Sequence, residues 1–256
     1  MSLALDATPL FVRGTSGSGA ASAAISGFST ALINDILVCE VSFFSNVATA
    51  PAVTSITGGP GGWVNRSRQV VTCGTVYGGP CHLVKETWWA AASAVQTSIS
   101  ITLNFSNAGA TTYYTGILYA VNGCQDLVHP WDRNASLPAA VSHTGTGATT
   151  THTVSGISTS SLNTFLLASM DMTPPSGAGS PAVSTDTSFT SVANTNSISY
   201  LSSMIESITF GATQTGLSYS INDGNSLYDY IITVDALTDG VSYVGPSPSS
   251  QAVLIG

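Results

Sequence analysis

The phrase Ser26 to Val41, SGFSTALINDILVCEV, occurs a second time in the chain as Ser155 to Met170, SGISTSSLNTFLLASM. Serine, glycine, serine, threonine, asparagine and leucine recur at the same offsets. Phe28/Ile157, Ile33/Leu162, Ile36/Phe165 and Val38/Leu167 each exchange one apolar side chain for another. An echo of this length limits the fold more than any other feature, because two copies of one supersecondary unit must bury equivalent faces. The first copy reads as a strand from Gly27 to Leu32, a turn at Asn34-Asp35, and a nearly all-apolar strand from Ile36 to Val41, which together predict a hairpin. The agreement continues downstream. Glu86-Thr-Trp-Trp, a Thr/Ser strand and a strand ending at Val121 align with Glu206-Ser-Ile-Thr, Leu217 to Ile221 and a strand ending at Ala236.

Elsewhere strand-like segments follow one another at spacings of about ten residues, separated by Gly, Asn and Pro turns such as GGPGG. No stretch combines a 3.6-residue period with helix caps over three turns. Only 7% of the 256 residues are charged while 43% are hydrophobic, so the outer faces must be covered by Ser, Thr, Asn and Gly. That pattern suits β-branched, hydroxyl-coated sheets. The fold expected is all-β: a two-sheet antiparallel β-sandwich, jelly-roll-like, built from two pseudo-repeated halves. It forms a single domain over residues 1–240, with halves of about 1–138 and 139–240. Residues 241–256 read as a Pro/Ser linker, GPSPSS, and an apolar tail. In that tail Gln251, Ala252, Val253, Leu254 and Ile255 form a strand pattern without a local partner. It adds to a sheet edge of another subunit, folds back on its own sheet, or stays disordered.

The charge pattern excludes several functions. The five basic residues, Arg13, Arg66, Arg68, Lys85 and Arg133, are scattered and the formal net charge is −8. Phosphate backbones need clustered cations, so neither nucleic acid nor an anionic membrane is an expected partner. No apolar run reaches the roughly 18 residues of a membrane helix. The opening MSLALDATPLFVRG lacks the basic and continuous apolar regions of a secretory signal.

No residue constellation points to catalysis or to a cofactor. His143 and His152 flank a threonine-rich turn but lack an evident third metal ligand. His129 lies near Asp126 and Asp132, with serines too abundant for any triad to stand out. Asp132 and Asn134, or Asn222, Asp223 and Asn225, offer too few carboxylates for calcium, and Asx turns account for them. Glu40, Glu86 and Glu206 fall inside strands; Glu86 and Glu206 hold equivalent places in the two halves, where a structural role such as pairing with Arg66, Arg68 or Lys85 is expected. Cys73 and Cys81 bracket a Gly-rich loop and either close as a disulfide or stay as thiols, while Cys39 reads as a buried thiol. Trp88 and Trp89 are adjacent, so they face opposite sides of their sheet. With Trp131 they are either core aromatics or contacts for a protein partner or a glycan.

Taken together, the strings LALDAT, NDILVCEV, SITGGPGGWVNRSR, ETWWA, SISITL, PWDRNASLPA and LNTFLLA resemble a recurring β-sandwich domain of tailed-phage structural proteins and some bacterial surface proteins. The likeness spans roughly residues 3 to 238, and PWDRNASLP is its most distinctive part. It implies a non-enzymatic virion component, such as a capsid decoration, head-fibre or tail-associated subunit. Its partners would be other virion proteins or its own copies in a homo-oligomer such as a trimer. Its location would be the virion, assembled in the host cytoplasm. A lectin-like adhesion module at the cell surface or outside the cell, binding host glycans, is the alternative.

Overall fold

Among the described residues, three strands are buried along their whole length, and they fix the order of the layers. The computed structural model describes residues 2–14, 21–73, 81–106, 112–144, 150–173, 188–195, 201–222 and 229–240. In chain order the strands are β1 (Ala4–Leu5), β2 (Leu10–Gly14), β3 (Ser22–Phe28), β4 (Asp35–Ser45), β5 (Ala52–Gly58), β6 (Val64–Thr72), β7 (His82–Ala92) and β8 (Ile99–Ser106). They continue with β9 (Thr112–Asn122), β10 (Ala139–His143), β11 (Thr151–Ile157), β12 (Thr164–Thr173), β13 (Thr190–Asn194), β14 (Ser202–Phe210), β15 (Leu217–Asn222) and β16 (Asp229–Thr238). All pairings are antiparallel. The fold is the all-β antiparallel sandwich expected from the sequence, but among the described residues its strands form four sheets rather than the expected two, because each large sheet is covered on both faces. No helix long and apolar enough to cross a membrane occurs among the described residues.

One large sheet runs β9-β4-β7-β6, with β1 and β2 both paired to the outer side of β9. The other runs β10-β16-β12-β14-β13. Taken as β2-β9-β4-β7-β6, the first path visits its strands in the same relative chain order as the second. The small sheets, β3-β8-β5 and β11-β15, cover the outer faces. Leu37, Cys39, Val41 and Phe43 of β4 meet Ile25, Phe28, Ile101 and Leu103 of the first small sheet. Leu166, Ala168 and Met170 of β12 meet Val154, Ile157, Tyr219 and Ile221 of the second. Successive side chains point to opposite faces, so Ile36, Val38 and Phe44 of β4 point the other way. There they pack with Phe165, Leu167, Leu237 and Ile231 of the second large sheet. The two large sheets therefore lie back to back, and a strand covered on both faces has to read as a continuous apolar run.

The repeated phrase does not form the expected hairpin. β3 pairs with β8 in a small sheet, while β4 pairs with β7 and β9 in a large one. Residues 29–34 therefore arch from one layer to the next. A bulge begins the departure in each copy, between Ser26 and Phe28 and between Val154 and Ile157. Gly27 and Gly156 sit there at φ 81° and 76°, a region costly for other residues. The arch is then held by a matched exchange. Thr30 N–H donates to the Gln96 carbonyl at 2.9 Å and Gln96 N–H donates to Thr30 Oγ1 at 3.0 Å. Thr159 and Gln214 repeat the pair at 3.0 and 2.9 Å.

The strand registers also shift one correspondence read from sequence. Trp88 lies opposite Cys39, and Glu206 lies opposite Ala168, the residue matching Cys39 in the second phrase. Glu206 therefore corresponds to Trp88 rather than to Glu86. A slip of two residues keeps the same face, so alternation alone does not reveal it.

Because the central layer is shared, the two halves are expected to unfold as one cooperative unit. Leu103→Ala in the first outer core and Ile232→Ala in the second each cost about 2–5 kcal/mol. Both are expected to lower a single shared transition in urea titrations followed by tryptophan fluorescence and far-ultraviolet circular dichroism. Two separable transitions, each moved by one variant, would show that the halves unfold independently.

Candidate functional site

Between the two large sheets the apolar packing is interrupted by a polar belt. On β4 it begins at Glu40 and Ser42, on the same face as Val38 and Phe44. Lys85 and Thr87 of β7, Thr115 of β9, Ser169 and Asp171 of β12, Ser203 of β14 and Thr233 and Asp235 of β16 complete it; all are buried. Lys85 Nζ stands 3.0 Å from Glu40 Oε2 and 3.1 Å from Asp171 Oδ2. Thr87 donates to Glu40 Oε2 at 3.0 Å, and Ser42 Oγ donates to Asp171 Oδ1 at 2.6 Å. Burial pushes the Lys85 ammonium down, but Asp171 and Glu40 more than offset this and hold it above the usual lysine range. Burial and the Glu40 carboxylate push the Tyr119 phenol well up.

At one margin of this belt a groove of about 440 Å³ opens to the surface. Its walls come from edge strand β6 (Val64, Asn65, Arg66), from Trp89 of β7, and from the connecting segment 128–137. Pro130 to Asp132 is pinned to the end of β16: Asp132 N–H donates to the Ala236 carbonyl and Thr238 N–H to the Pro130 carbonyl, both at 2.8 Å. Arg66 crosses between the sheets as a fork, with Nε 2.8 Å and Nη2 3.1 Å from the two Asp235 oxygens. Its guanidinium also lies 5.1 Å from the Trp131 ring centre, a cation–π distance. Burial pushes the Asp235 carboxyl up more than Arg66 draws it down. Trp131 is 6% exposed, and its buried indole N–H has no hydrogen-bond partner. Val64 and Val128 are exposed at the rim, 49% and 71%. Apolar faces, an amide at Asn65 and a fixed cation thus converge, the combination that small-ligand sites use.

The structure separates the three tryptophans singled out in the sequence. Trp89 and Trp131 line the groove. Trp88 faces the opposite side, packs on the first outer core and donates to Glu86 Oε2 at 2.8 Å. Cys73 and Cys81 carry free, buried thiols and face each other across an extension of the β6–β7 ladder, with Cys73 N–H donating to the Cys81 carbonyl at 2.9 Å. A hydrogen bond from the Cys73 thiol raises that group and lowers Cys81. Arg68 pairs with Glu86 at 3.0 Å, and Glu206 accepts the Tyr219 hydroxyl at 2.6 Å. Of the cations offered as partners by the sequence, Arg68 takes Glu86, whereas Lys85 lies between Glu40 and Asp171 and Arg66 pairs with Asp235. His143 and His152 flank the Tyr230 ring, with centroids 5.7 and 3.9 Å away. His129 does meet Asp126, at 3.2 Å on the surface, without Asp132. No group of three or more His, Cys, Asp or Glu among the described residues is placed to hold a metal ion. Asp223, Asn225 and the tail strand Gln251, Ala252, Val253, Leu254 and Ile255 lie outside the described residues.

Asp132, offered by sequence as an Asx-turn former, does that and more. It accepts from Asn134 N–H at 2.8 Å, from Ser160 N–H at 3.0 Å, from Ser160 Oγ at 2.6 Å and from Ser161 N–H at 2.9 Å. Asp6 caps the matching arch of the first half through Ala31 and Leu32 N–H at 2.7 and 3.0 Å. Sequence reasoning missed the belt itself. Its visible signals were Glu40 and Ser42 on β4 and Ser169 and Asp171 on β12, polar residues on a single face of mainly apolar strands.

Comparison with protein-family models, with curated proteins and with solved structures finds no match to the chain.

Burial pushes the Asp132 carboxyl up, but the Ser160 hydroxyl and the Ser160, Asn134 and Ser161 amides outweigh it and hold it below the usual carboxylate range. A depressed folded-state value gives stability that is present above the unfolded value and is lost as pH falls through the folded one. Asp132→Asn should cost about 2–3 kcal/mol near neutral pH, since charged hydrogen bonds are replaced. The gap to the parent chain should narrow below about pH 4. Denaturant titrations at pH 7 and at acid pH check both statements.

Proposed function

We propose that this chain is a non-enzymatic structural protein of a phage particle, a capsid decoration, head-fibre or tail-associated subunit that acts through protein–protein contacts. The observation that carries this reading is where the charges and the large apolar side chains lie. Lys85, Arg66 and Arg68, three of the five basic residues, are spent on ion pairs that join strands and layers. The outside instead carries Phe11, Leu32, Ile33, Val64, Val70 and Val128, each 39–71% exposed. Val64 and Val70 both belong to edge strand β6. A surface poor in charge, with apolar side chains at a strand edge, associates by shape and burial rather than by steering. The resemblance of PWDRNASLP and the strand signatures to virion modules points the same way.

The test is mass photometry of the purified chain together with mass spectrometry of particles from the matching lysate. A symmetric oligomer and recovery of the chain in the particle fraction are expected. A monomer at all concentrations that is absent from particles would overturn the proposal.

The groove favours a second reading, carbohydrate recognition by an adhesion module. Trp89 and Trp131 line it beside Asn65 and Arg66, and sugars use stacking on aromatics with a few amide and guanidinium hydrogen bonds. On this reading Trp89→Ala lowers glycan-array binding at least about tenfold, the loss of one good contact, without altering the circular dichroism spectrum. Trp88→Ala leaves binding unchanged. Equal losses in both variants would reject the groove as the sugar site.

A further inference from the structure

Lys85, Glu40 and Asp171 form a buried set whose geometry goes beyond a structural ion pair. The Lys85 side chain is 2% exposed, Glu40 6% and Asp171 0%. Two carboxylates thus meet one ammonium away from water, at a desolvation cost that their mutual contacts must offset. Lys85 Nζ lies 3.1 Å from Asp171 Oδ2. Among the described residues no other donor reaches Oδ2, so the Lys85 nitrogen is the group set against this oxygen. The other oxygen, Oδ1, is held by the Ser42 hydroxyl at 2.6 Å. Glu40 Oε2 lies 3.0 Å from the same nitrogen, within reach to take a proton from it. The groups facing this set from neighbouring strands are Thr87 on Glu40 Oε2, Tyr119 on Glu40 Oε1 at 3.4 Å, and, further along, the Asp235–Arg66 pair.

We propose that Lys85 and Asp171 condense into an intramolecular amide that staples the two halves of the chain covalently, with Glu40 as the proton relay. Glu40 takes a proton from the Lys85 ammonium and frees the amine. The amine nitrogen attacks Asp171 Cγ while Ser42 stabilises charge on Oδ1, as donors do at a developing oxyanion. The new bond is Nζ–Cγ, and the bond that breaks is Cγ–Oδ2. Two of the three ammonium protons end on Oδ2, which leaves as water, and Glu40 finishes in the state in which it began. The balance is one ammonium plus one carboxylate giving one amide plus one water, so no oxidant, metal or co-reactant is needed. The three groups are fixed by β7, β12 and β4 of a packed core, and fixed neighbours react as if at very high concentration. The result would be a β-sandwich pair that cannot separate at its central layer even when it unfolds.

The experiment is intact-mass spectrometry of the reduced full-length chain, followed by chymotryptic mapping. The parent chain is expected to weigh about 18 Da, one water, less than its sequence, and to yield a branched peptide joining Lys85 to Asp171. Asp171→Ala is expected at its full sequence mass. A parent chain at full mass overturns the proposal. So does a lost water with no branched peptide, which would place the dehydration elsewhere. Glu40→Gln keeps the hydrogen-bonding shape and is expected to fold and to stay unlinked. The same extent of linkage in that variant would overturn the relay role.

Discussion

The structure depends on a polar belt enclosed between two apolar zones. Ile36, Val38, Leu167 and Leu237 fill one end of the central layer, and Phe44, Leu83, Leu201 and Ile231 fill the other. Between them Lys85, Glu40 and Asp171 are removed from water, at a desolvation cost of several kcal/mol per ion. Such a cost is tolerable only in the one docking of the sheets that brings each ion to its partner. Sliding one large sheet along the other would carry Lys85 and Ser42 away from Asp171 and leave that carboxylate buried without them. The belt therefore acts on uniqueness more than on depth of stability: the apolar ends drive the sheets together, and the charges select the register.

The strands were legible in the sequence to the extent that burial is periodic, but the two sheets expected from them became four. DILVCEVSFFS and TFLLASMDMT announce strands covered on both faces, and such strands must lie between other layers. The arch at 29–34 was not legible as an arch, because an Asn-Asp turn between two apolar runs carries the same local signal whether the strands pair or part. What separates the cases is nonlocal: Thr30 finds Gln96 and Thr159 finds Gln214, contacts that lie 66 and 55 residues away. The two-residue slip between Glu86 and Glu206 was hidden for a similar reason. Spacing reports the face of a strand but not its register against a neighbour.

The groove was half legible. Tryptophans announce contact, and adjacent Trp88 and Trp89 had to face opposite ways, but only the fold decides which of them meets Trp131. The decision is made by Asp132. Its carboxylate gathers Ser160 and Ser161 into the turn of the second phrase while its own N–H docks on β16. This brings Trp131 across to Arg66 of the first half. PWDRNAS stood out in the sequence because it is the tie between the halves, and the groove is the space left beside that tie.

The belt also explains why the two copies of the phrase diverge where they do. Ser42 and Asp171 occupy the same place in the two copies, and across the central layer they touch. Lys85 and Ser203 are their respective neighbours, each in register with its own copy. Identical halves packed back to back would place like against like at this point, either two aspartates or two serines. Two buried aspartates would repel, and two serines would leave a buried lysine with Glu40 alone. Divergence at positions 42 and 171, with a lysine kept in only one half, lets a single cation serve carboxylates from both. The outward-facing cores could stay alike because each half buries its own small sheet. The shared face could not, since a symmetric pair of surfaces can bury charge only if the partners cease to be the same.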